Sequence, residues 1–454
     1  MAVNTHSFPL EHFDPLALYQ QLCPDGPGFL ETLNPLPKTG RYSILPLRWQ
    51  ERYSYADGKL TCFHQDQKTE FGSDPFQKLA EILHQRALSP SPETPFIGGF
   101  FGYVSYDMAG QIEELPRMAR RDLTIPDLDF YWIDVSAAYD HNNSTLTLSA
   151  LDPDVDLLSY EKVIKTGLKV KDPQPFNISE SLQPILTPDE FMTKVQKGKD
   201  YIAAGDIYQV NLSCRFDGRI EGSSTGLYQH LRAVNPSPFA CLLKFPEVDI
   251  ISSSPERLFS LRDNVAETRP IAGTRPRGYN FDEDQQLGDE LLCHPKERAE
   301  HIMLLDLERN DLGKVCRTGT VEVDELMVLE RYSHVTHIVS NVRGELKPEH
   351  GPFDLLKATF PGGTITGVPK KRCMEIIDEL EPVGRGSYTG SVGYISACGT
   401  TDFNILIRTF QRIGDKLTYQ TGAGIVADSI PEKEWQECLD KGEALRTVLE
   451  DHSL

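Results

Sequence analysis

TPDEFMTKVQKGKDYIAAGDIYQVNLSCRF, residues 187–216, marks a change of grammar in the chain. Thr187 is a helix N-cap, Pro188 occupies the first helical position, Glu190 follows three residues after the cap, and Phe191, Val195 and Ile202 supply an apolar face. The helix is expected to end near Gly205, and IYQVNLSCRF then reads as a strand. Further helices are expected over residues 224–235, 285–310, 370–380 and 432–449, and strands over 239–245, 249–253, 321–328, 390–395, 404–412 and 416–421. Strands come in adjacent, hairpin-like runs instead of strict βαβ alternation, which predicts an α+β fold built on antiparallel sheets.

Working outward, residues 1–151 read mainly as strands and turns, with β-rich pieces at 41–45, 96–106, 128–139 and 144–151 punctuated by Pro, Gly and Asn-Asn. Residues 152–186 are charged, contain prolines and keep no sustained period, so they read as a connector to the region 187–454. No run approaches 18 apolar residues and the N-terminus lacks the basic and apolar segments of a secretion signal, so a cytoplasmic protein without a membrane span is expected. The nine cysteines are scattered singly, which argues against a zinc site or a disulfide framework. A formal charge of −21 disfavours a nucleic-acid surface and makes local basic or glycine-rich clusters more informative.

One such cluster is FPGGTITGVPKKRCMEIIDELEP, residues 360–382. Gly362 and Gly363 allow unusual backbone angles, so that N–H groups can converge, and Thr364 and Thr366 add hydroxyl donors. With Lys370, Lys371 and Arg372 opening a helix behind Pro369, the turn is expected to face an anion. It is not a Walker loop, because Val368 and Pro369 stand where Lys and Ser/Thr are required.

Other segments carry groups of similar character. Glu300 and Glu437 lie in separate predicted helices, and two such carboxylates facing one pocket can hold Mg²⁺. TRPIAGTRPRG places Gly273 and Thr274 in a rigid turn between prolines, SSSPERL carries Glu256, and RYSHVTHIVS carries His334 and His337. TGAGIVADS sets Gly422 and Gly424 around Ala423, suited to close backbone approach to an oxyanion, and Arg408 in NILIRT can pair with a carboxylate. Together they describe a pocket for a small multi-anionic molecule and a divalent ion.

SSPE, RPIAGTRPRG, ERAEH, LERNDLG, YSHVTHIVS, PGGTITG, MEIIDELEP, IRT and GAGIVADS occur in the order found in the chorismate-utilising enzymes, which the chain resembles from about Thr187 to Ala444. The preceding region resembles the N-terminal part of the anthranilate synthase and aminodeoxychorismate synthase large components. The resemblance implies antiparallel sheets packed as a sandwich with flanking helices. It also implies Glu300 and Glu437 as magnesium ligands bridged to the ring carboxylate of chorismate. Gly273, Thr274, Thr364, Tyr388, Arg408, Gly422, Ala423 and Gly424 match substrate-binding positions, Glu256 the general acid that protonates the departing 4-hydroxyl, and His337 a histidine near the ring with a binding or proton-transfer role.

Gln209 stands where the water-using members of this family have a lysine base, and glutamine cannot deprotonate water, so the chain resembles the ammonia-using branch. YQVNLS, PGGTITG and NILIRT resemble the type that aminates C4 and keeps the enolpyruvyl group, in para-aminobenzoate and folate biosynthesis. The alternatives are the anthranilate synthase reaction, in which C2 is aminated and pyruvate lost, and a non-catalytic chorismate-binding paralogue. Ala272 stands where some C4-aminating members carry a nucleophilic lysine, which implies direct or ammonia-assisted double displacement without a covalent adduct. FLETLN and NPSPFA match the places of a tryptophan-binding pocket in anthranilate synthases, with little or no tryptophan inhibition expected here. No glutaminase segment is visible, so ammonia is expected from a separate glutamine amidotransferase subunit.

Overall fold

The structure, a computed structural model, describes residues 3–35, 38–72, 74–91, 94–166, 175–331 and 335–450; His334 lies outside them. The helix Pro188–Ala203 forms as its sequence directs: Thr187 Oγ1 accepts from the Glu190 N–H (3.3 Å), and Glu190 Oε2 accepts from the Thr187 N–H (2.8 Å). Its buried side chains Phe191 and Val195 pack behind the strand Gln209–Gly222.

Among the described residues every ladder between strands is antiparallel, and all are joined in one network. The long strands Tyr42–Ala56 and Leu128–Asp140 pair at its centre. One wing runs from Tyr42–Ala56 through Gly28–Glu31, Phe239–Lys244, Asp249–Ser254, Thr409–Ile413 and Lys416–Ile425 to Gln209–Gly222. The other runs from Leu128–Asp140 through Gly99–Val104, Ser391–Ser396, Thr401–Asn404, Arg257–Arg262 and Val265–Thr268 to Val335–Glu345. The wings face each other over a core that includes Phe101, Tyr103, Cys241, Leu243 and Val392, with the Tyr103 and Phe245 rings 5.3 Å apart. Helices cover the outer faces: Pro188–Ala203, Ser224–Val234, Lys370–Leu380 and Pro431–Lys441 on the first wing, and Pro75–Gln85, Pro295–Val315 and Pro352–Thr359 on the second. The expected α+β sandwich with flanking helices is the observed architecture.

Alternation along Gln209–Gly222 decides where chemistry can sit. Leu212, Cys214 and Phe216 enter the helix-covered core, whereas Gln209, Asn211, Ser213 and Arg215 share the opposite face, buried yet polar.

Several elements differ from expectation. The helix predicted over 285–310 is two helices, Phe281–Cys293 and Pro295–Val315, because Pro295 has no N–H to continue the first and holds His294 extended. The helix predicted over 432–449 likewise divides at Gly442 into Pro431–Lys441 and Glu443–Glu450. Residues 152–186 contain the helix Leu157–Lys165 and the strand Phe176–Pro184, which pairs with the end of Gln209–Gly222. The expected turn around Gly273 is a bulge in the strand Ile271–Pro276. The strand predicted over 404–412 breaks in two, since Leu406 exchanges backbone hydrogen bonds with Thr389 and Gly390 instead of continuing a ladder (2.8 Å each). No helix among the described residues is long and apolar enough to cross a membrane.

Candidate active site

Glu256 follows the strand Asp249–Ser254 across Pro255, with its N–H on Ser254 Oγ (3.3 Å) and its carbonyl accepting from Ile405 N–H (3.0 Å). Its carboxyl is buried and accepts from Thr364 Oγ1 at 2.9 Å. Burial pushes this carboxyl up to about 7, against the Thr364 hydroxyl, the Ile271 N–H and the positive charges of Lys441 and Arg408. A carboxylic acid that holds its proton near neutrality is suited to general-acid work.

Thr364 is delivered by the tight turn Gly363–Ile365. A Cβ on Gly363 would lie 2.5 Å from Leu307 Cδ2 and 3.2 Å from Glu308 Oε1, so the second glycine of PGGT lets the turn press against the helix Pro295–Val315. That contact brings in Glu308, which the sequence reading passed over inside LERNDLG. It is a second buried carboxyl, held well above the usual range by burial and by the neighbouring charges of Asp311 and Glu256, with Lys370 opposing. The basic residues behind the turn do not serve the cradle: Lys370 bonds Asp311 and the Thr359 carbonyl, Lys371 pairs with Glu113, and Arg372 with Asp206 and Glu375. The excess of acid in this chain explains the difference, since each lysine and arginine finds a carboxylate nearby.

On the other wing the bulge at Gly273, at φ 68°, sets Thr274 opposite His337. His337 Nδ1 lies 2.9 Å from Thr274 Oγ1 and 3.2 Å from the Gly273 carbonyl. A carbonyl only accepts, so Nδ1 carries the proton and Nε2 is the acceptor nitrogen. Burial lowers this imidazole to about 4, with the Arg408 charge acting in the same direction, so it is neutral at physiological pH. Arg408 thus acts on both Glu256 and His337, from the strand break and with a left-handed φ of 51° unusual for a non-glycine residue.

A third side is made by the paired strands Gln209–Gly222 and Lys416–Ile425. A Cβ on Gly424 would lie 2.7 Å from Gln209 Nε2, and one on Gly422 would lie 2.8 Å from Asn211 Oδ1, so both glycines make room for the amides. Ala423 turns the other way into the core, leaving its backbone for the site. Tyr388 is buried beside Arg385, whose guanidinium lies 5.5 Å from the ring centroid and is fixed by Glu381 (2.7 and 2.9 Å) and the Asn211 carbonyl (2.8 Å). Burial raises the Tyr388 phenol, which stays protonated.

Glu300 and Glu437 also converge. Burial raises the Glu300 carboxyl, with the Glu297 and Glu437 charges adding and Lys296 opposing. Glu434 is raised by burial and by Glu437 as well. Glu297, Glu300, Glu434 and Glu437, opposed by Lys296 and Lys441, make this corner anionic, but among the described residues no group of three or more His, Cys, Asp or Glu is drawn together as a metal site, so a hard divalent cation would have the Glu300 and Glu437 pair. Lys441 pairs with Glu437 at 2.8 Å and donates to the Gly422 carbonyl at 3.0 Å, linking this corner to the Gly422–Gly424 stretch of the strand Lys416–Ile425. FLETLN and NPSPFA meet too, Glu31 opposite Ala240 and Thr32 Oγ1 donating to the Pro238 carbonyl at 3.0 Å, around a cavity of about 40 Å³.

The family model of the chorismate binding enzymes matches residues 45–447. An anthranilate synthase component I-like protein of Synechocystis sp. is 50% identical over 78% of this chain and 73% of its own length. Aminodeoxychorismate synthase component 1 of Bacillus subtilis is 43% identical over 90% of each chain, and anthranilate synthase component 1 of Aquifex aeolicus 39% identical over 96% of this chain and 92% of its own. The crystal structure of anthranilate synthase component I from Streptococcus pneumoniae superposes with a TM-score of 0.79 at 33% identity, covering 95% of this chain and 97% of that one. By the match of its sequence and the agreement of its architecture, the chain belongs to the chorismate-utilising enzymes.

Proposed function

We propose that this enzyme aminates chorismate at C4, giving 4-amino-4-deoxychorismate, with ammonia from a separate glutaminase subunit. The observation that carries amination is the combination of Glu256, a buried acid that keeps its proton up to about pH 7, and Gln209, an amide where a base would be needed to activate water, while C4 over C2 rests on the resemblance of YQVNLS, PGGTITG and NILIRT to the C4-aminating type. The substrate would lie between the Gly363–Ile365 turn, the Gly422–Gly424 backbone, Thr274 and Tyr388, with Arg408 on a carboxylate. Glu256 gives its proton to the 4-oxygen as the C4–O bond breaks, so that water departs. The carboxylate left behind is held by Thr364, Lys441 and Arg408. Ammonia supplies the electron pair for the new C–N bond and afterwards releases a proton. His337, neutral, stands near the ring in a binding or proton-transfer role.

Glu300 and Glu437 would hold Mg²⁺, which supplies charge neutralisation at the ring carboxylate when bound. Ala272 offers no nucleophile, which supports displacement without a protein adduct, and a substrate adduct isolated on any lysine would refute that mechanism. Anthranilate synthesis is the second reading, favoured by the similarity to the Aquifex aeolicus protein over 96% of this chain. Incubation with chorismate, Mg²⁺ and ammonium followed by mass analysis separates the two: retained enolpyruvyl supports C4 amination, and release of pyruvate with 2-aminobenzoate overturns it.

A further inference from the structure

Arg385 takes no part in the chemistry above, yet it is fully buried, and a buried guanidinium is costly unless each of its five N–H groups is bonded. Here all are. Nε and Nη2 donate to the two oxygens of Glu381 (2.9 and 2.7 Å), Nη2 also to the Asn211 carbonyl (2.8 Å), and Nη1 to the Ile365 carbonyl (3.0 Å) and Thr389 Oγ1 (3.3 Å). Glu381 is buried too and accepts from the Ser213 N–H and hydroxyl (2.9 and 2.6 Å), which fixes the ion pair in place.

The segments that Arg385 ties together lie far apart in the sequence and adjoin in the candidate site. Ile365 ends the turn Gly363–Ile365 and directly follows Thr364, whose hydroxyl bonds Glu256 at 2.9 Å. Asn211 belongs to the strand Gln209–Gly222, and Thr389 follows Tyr388 at a left-handed φ of 58°, which a β-branched residue holds only with outside support. Stability alone does not call for this arrangement, since a buried ion pair can often be replaced by apolar side chains without loss. Apolar side chains cannot supply the three donors that join the turn, the strand and the Tyr388 segment. Glu256 also faces Lys441, Arg408 and Glu308, and Arg385 bonds none of these, so its route to the acid runs through Ile365 and Thr364.

We infer that Arg385 is a positioning residue of the reaction: its bond to the Ile365 carbonyl fixes the turn that carries Thr364 and so holds the Thr364 hydroxyl on Glu256. This rests on the proposal above that Glu256 is the acid. Arg385→Lys keeps the charge, but an ammonium with three donors cannot make the five bonds of the guanidinium. Assayed with chorismate, Mg²⁺ and ammonium at fixed free ammonia, its kcat/KM for chorismate at pH 7 should fall about tenfold or more. The alkaline limb of kcat/KM should also move up by about half a pH unit, the effect of losing one hydrogen bond to the ionised acid. In a Thr364→Val background the same substitution should leave the limb in place, because the contact it acts through is already gone. Should Arg385→Lys not fold, Glu381→Gln combined with Arg385→Met, which carries no buried charge and keeps an acceptor for Ser213, gives the same comparison. An unmoved limb in a folded variant, whether or not activity falls, or an equal shift in both backgrounds, would overturn the positioning role while leaving Glu256 the acid. A wild-type enzyme whose kcat/KM shows no alkaline fall would overturn the acid reading and the positioning role together.

Discussion

Replacing Glu256 by Gln should abolish activity and stabilise the protein, and the second effect carries the test of the first. Burial raises this carboxyl from 4.5 to about 7. Below pH 4.5 the folded and unfolded chains both bind the proton and the group is neutral in its effect. Between 4.5 and about 7 the unfolded chain ionises first, so stability is lost progressively as pH rises through that window. That gap corresponds to about 3 kcal/mol. Glutamine keeps the shape and an acceptor for Thr364 but does not titrate. The variant should therefore match wild type near pH 4.5 and exceed it by about 3 kcal/mol at pH 8, or about 3 °C in melting temperature for a chain of this length. Loss of the acid should lower kcat at least about a hundredfold. In wild type, kcat/KM for chorismate, measured at fixed free ammonia, should fall as pH exceeds about 7. Thermal unfolding of both proteins at pH 5 and pH 8 decides the matter: a difference independent of pH, or none at pH 8, would show that Glu256 is not a buried protonated acid.

Removing the Thr364 hydroxyl with valine takes away a bond that favours the ionised form of Glu256, so the alkaline fall in kcat/KM should move to higher pH; a pH profile of the variant checks this. Glu300→Gln or Glu437→Gln should raise the Mg²⁺ concentration for half-maximal activity about tenfold or more with the melting temperature nearly unchanged, as read by Mg²⁺ titration and thermal unfolding. Gly367→Ala would force a Cβ to within 2.2 Å of the Gln209 carbonyl at a φ of 133°, and should cost more than about 3 kcal/mol by denaturant unfolding. Tryptophan at millimolar concentration should leave the rate of chorismate amination nearly unchanged, because FLETLN and NPSPFA depart from the tryptophan-binding forms of these segments; a rate measurement across a tryptophan titration checks this.

What could be read in the sequence depended on whether a signal was local. The capping box at Thr187 and the helix behind Pro369 involve residues within four positions of each other, and both form as written. Pro295 and Gly442 were equally local signals, and the breaks they impose were there to be read. Glu308 and Asn211 were not. A glutamate in LERND and an asparagine in YQVNLS look like ordinary polar residues until Gly363 packs against the helix carrying Glu308 and Gly422 comes to lie beneath the Asn211 amide. Partners more than fifty residues away thus set the burial of each. The same logic explains why Arg408 reads as a strand residue but acts from a break: the segment after Asn404 is drawn away by Thr389 and Gly390, whose pairing with Leu406 no local pattern announces. Local chemistry therefore names which residues can form the site, and long-range register decides which of them are desolvated enough to act. A glycine facing a buried polar side chain across a strand pair is the juncture where the two meet, as Gly424 with Gln209 and Gly422 with Asn211.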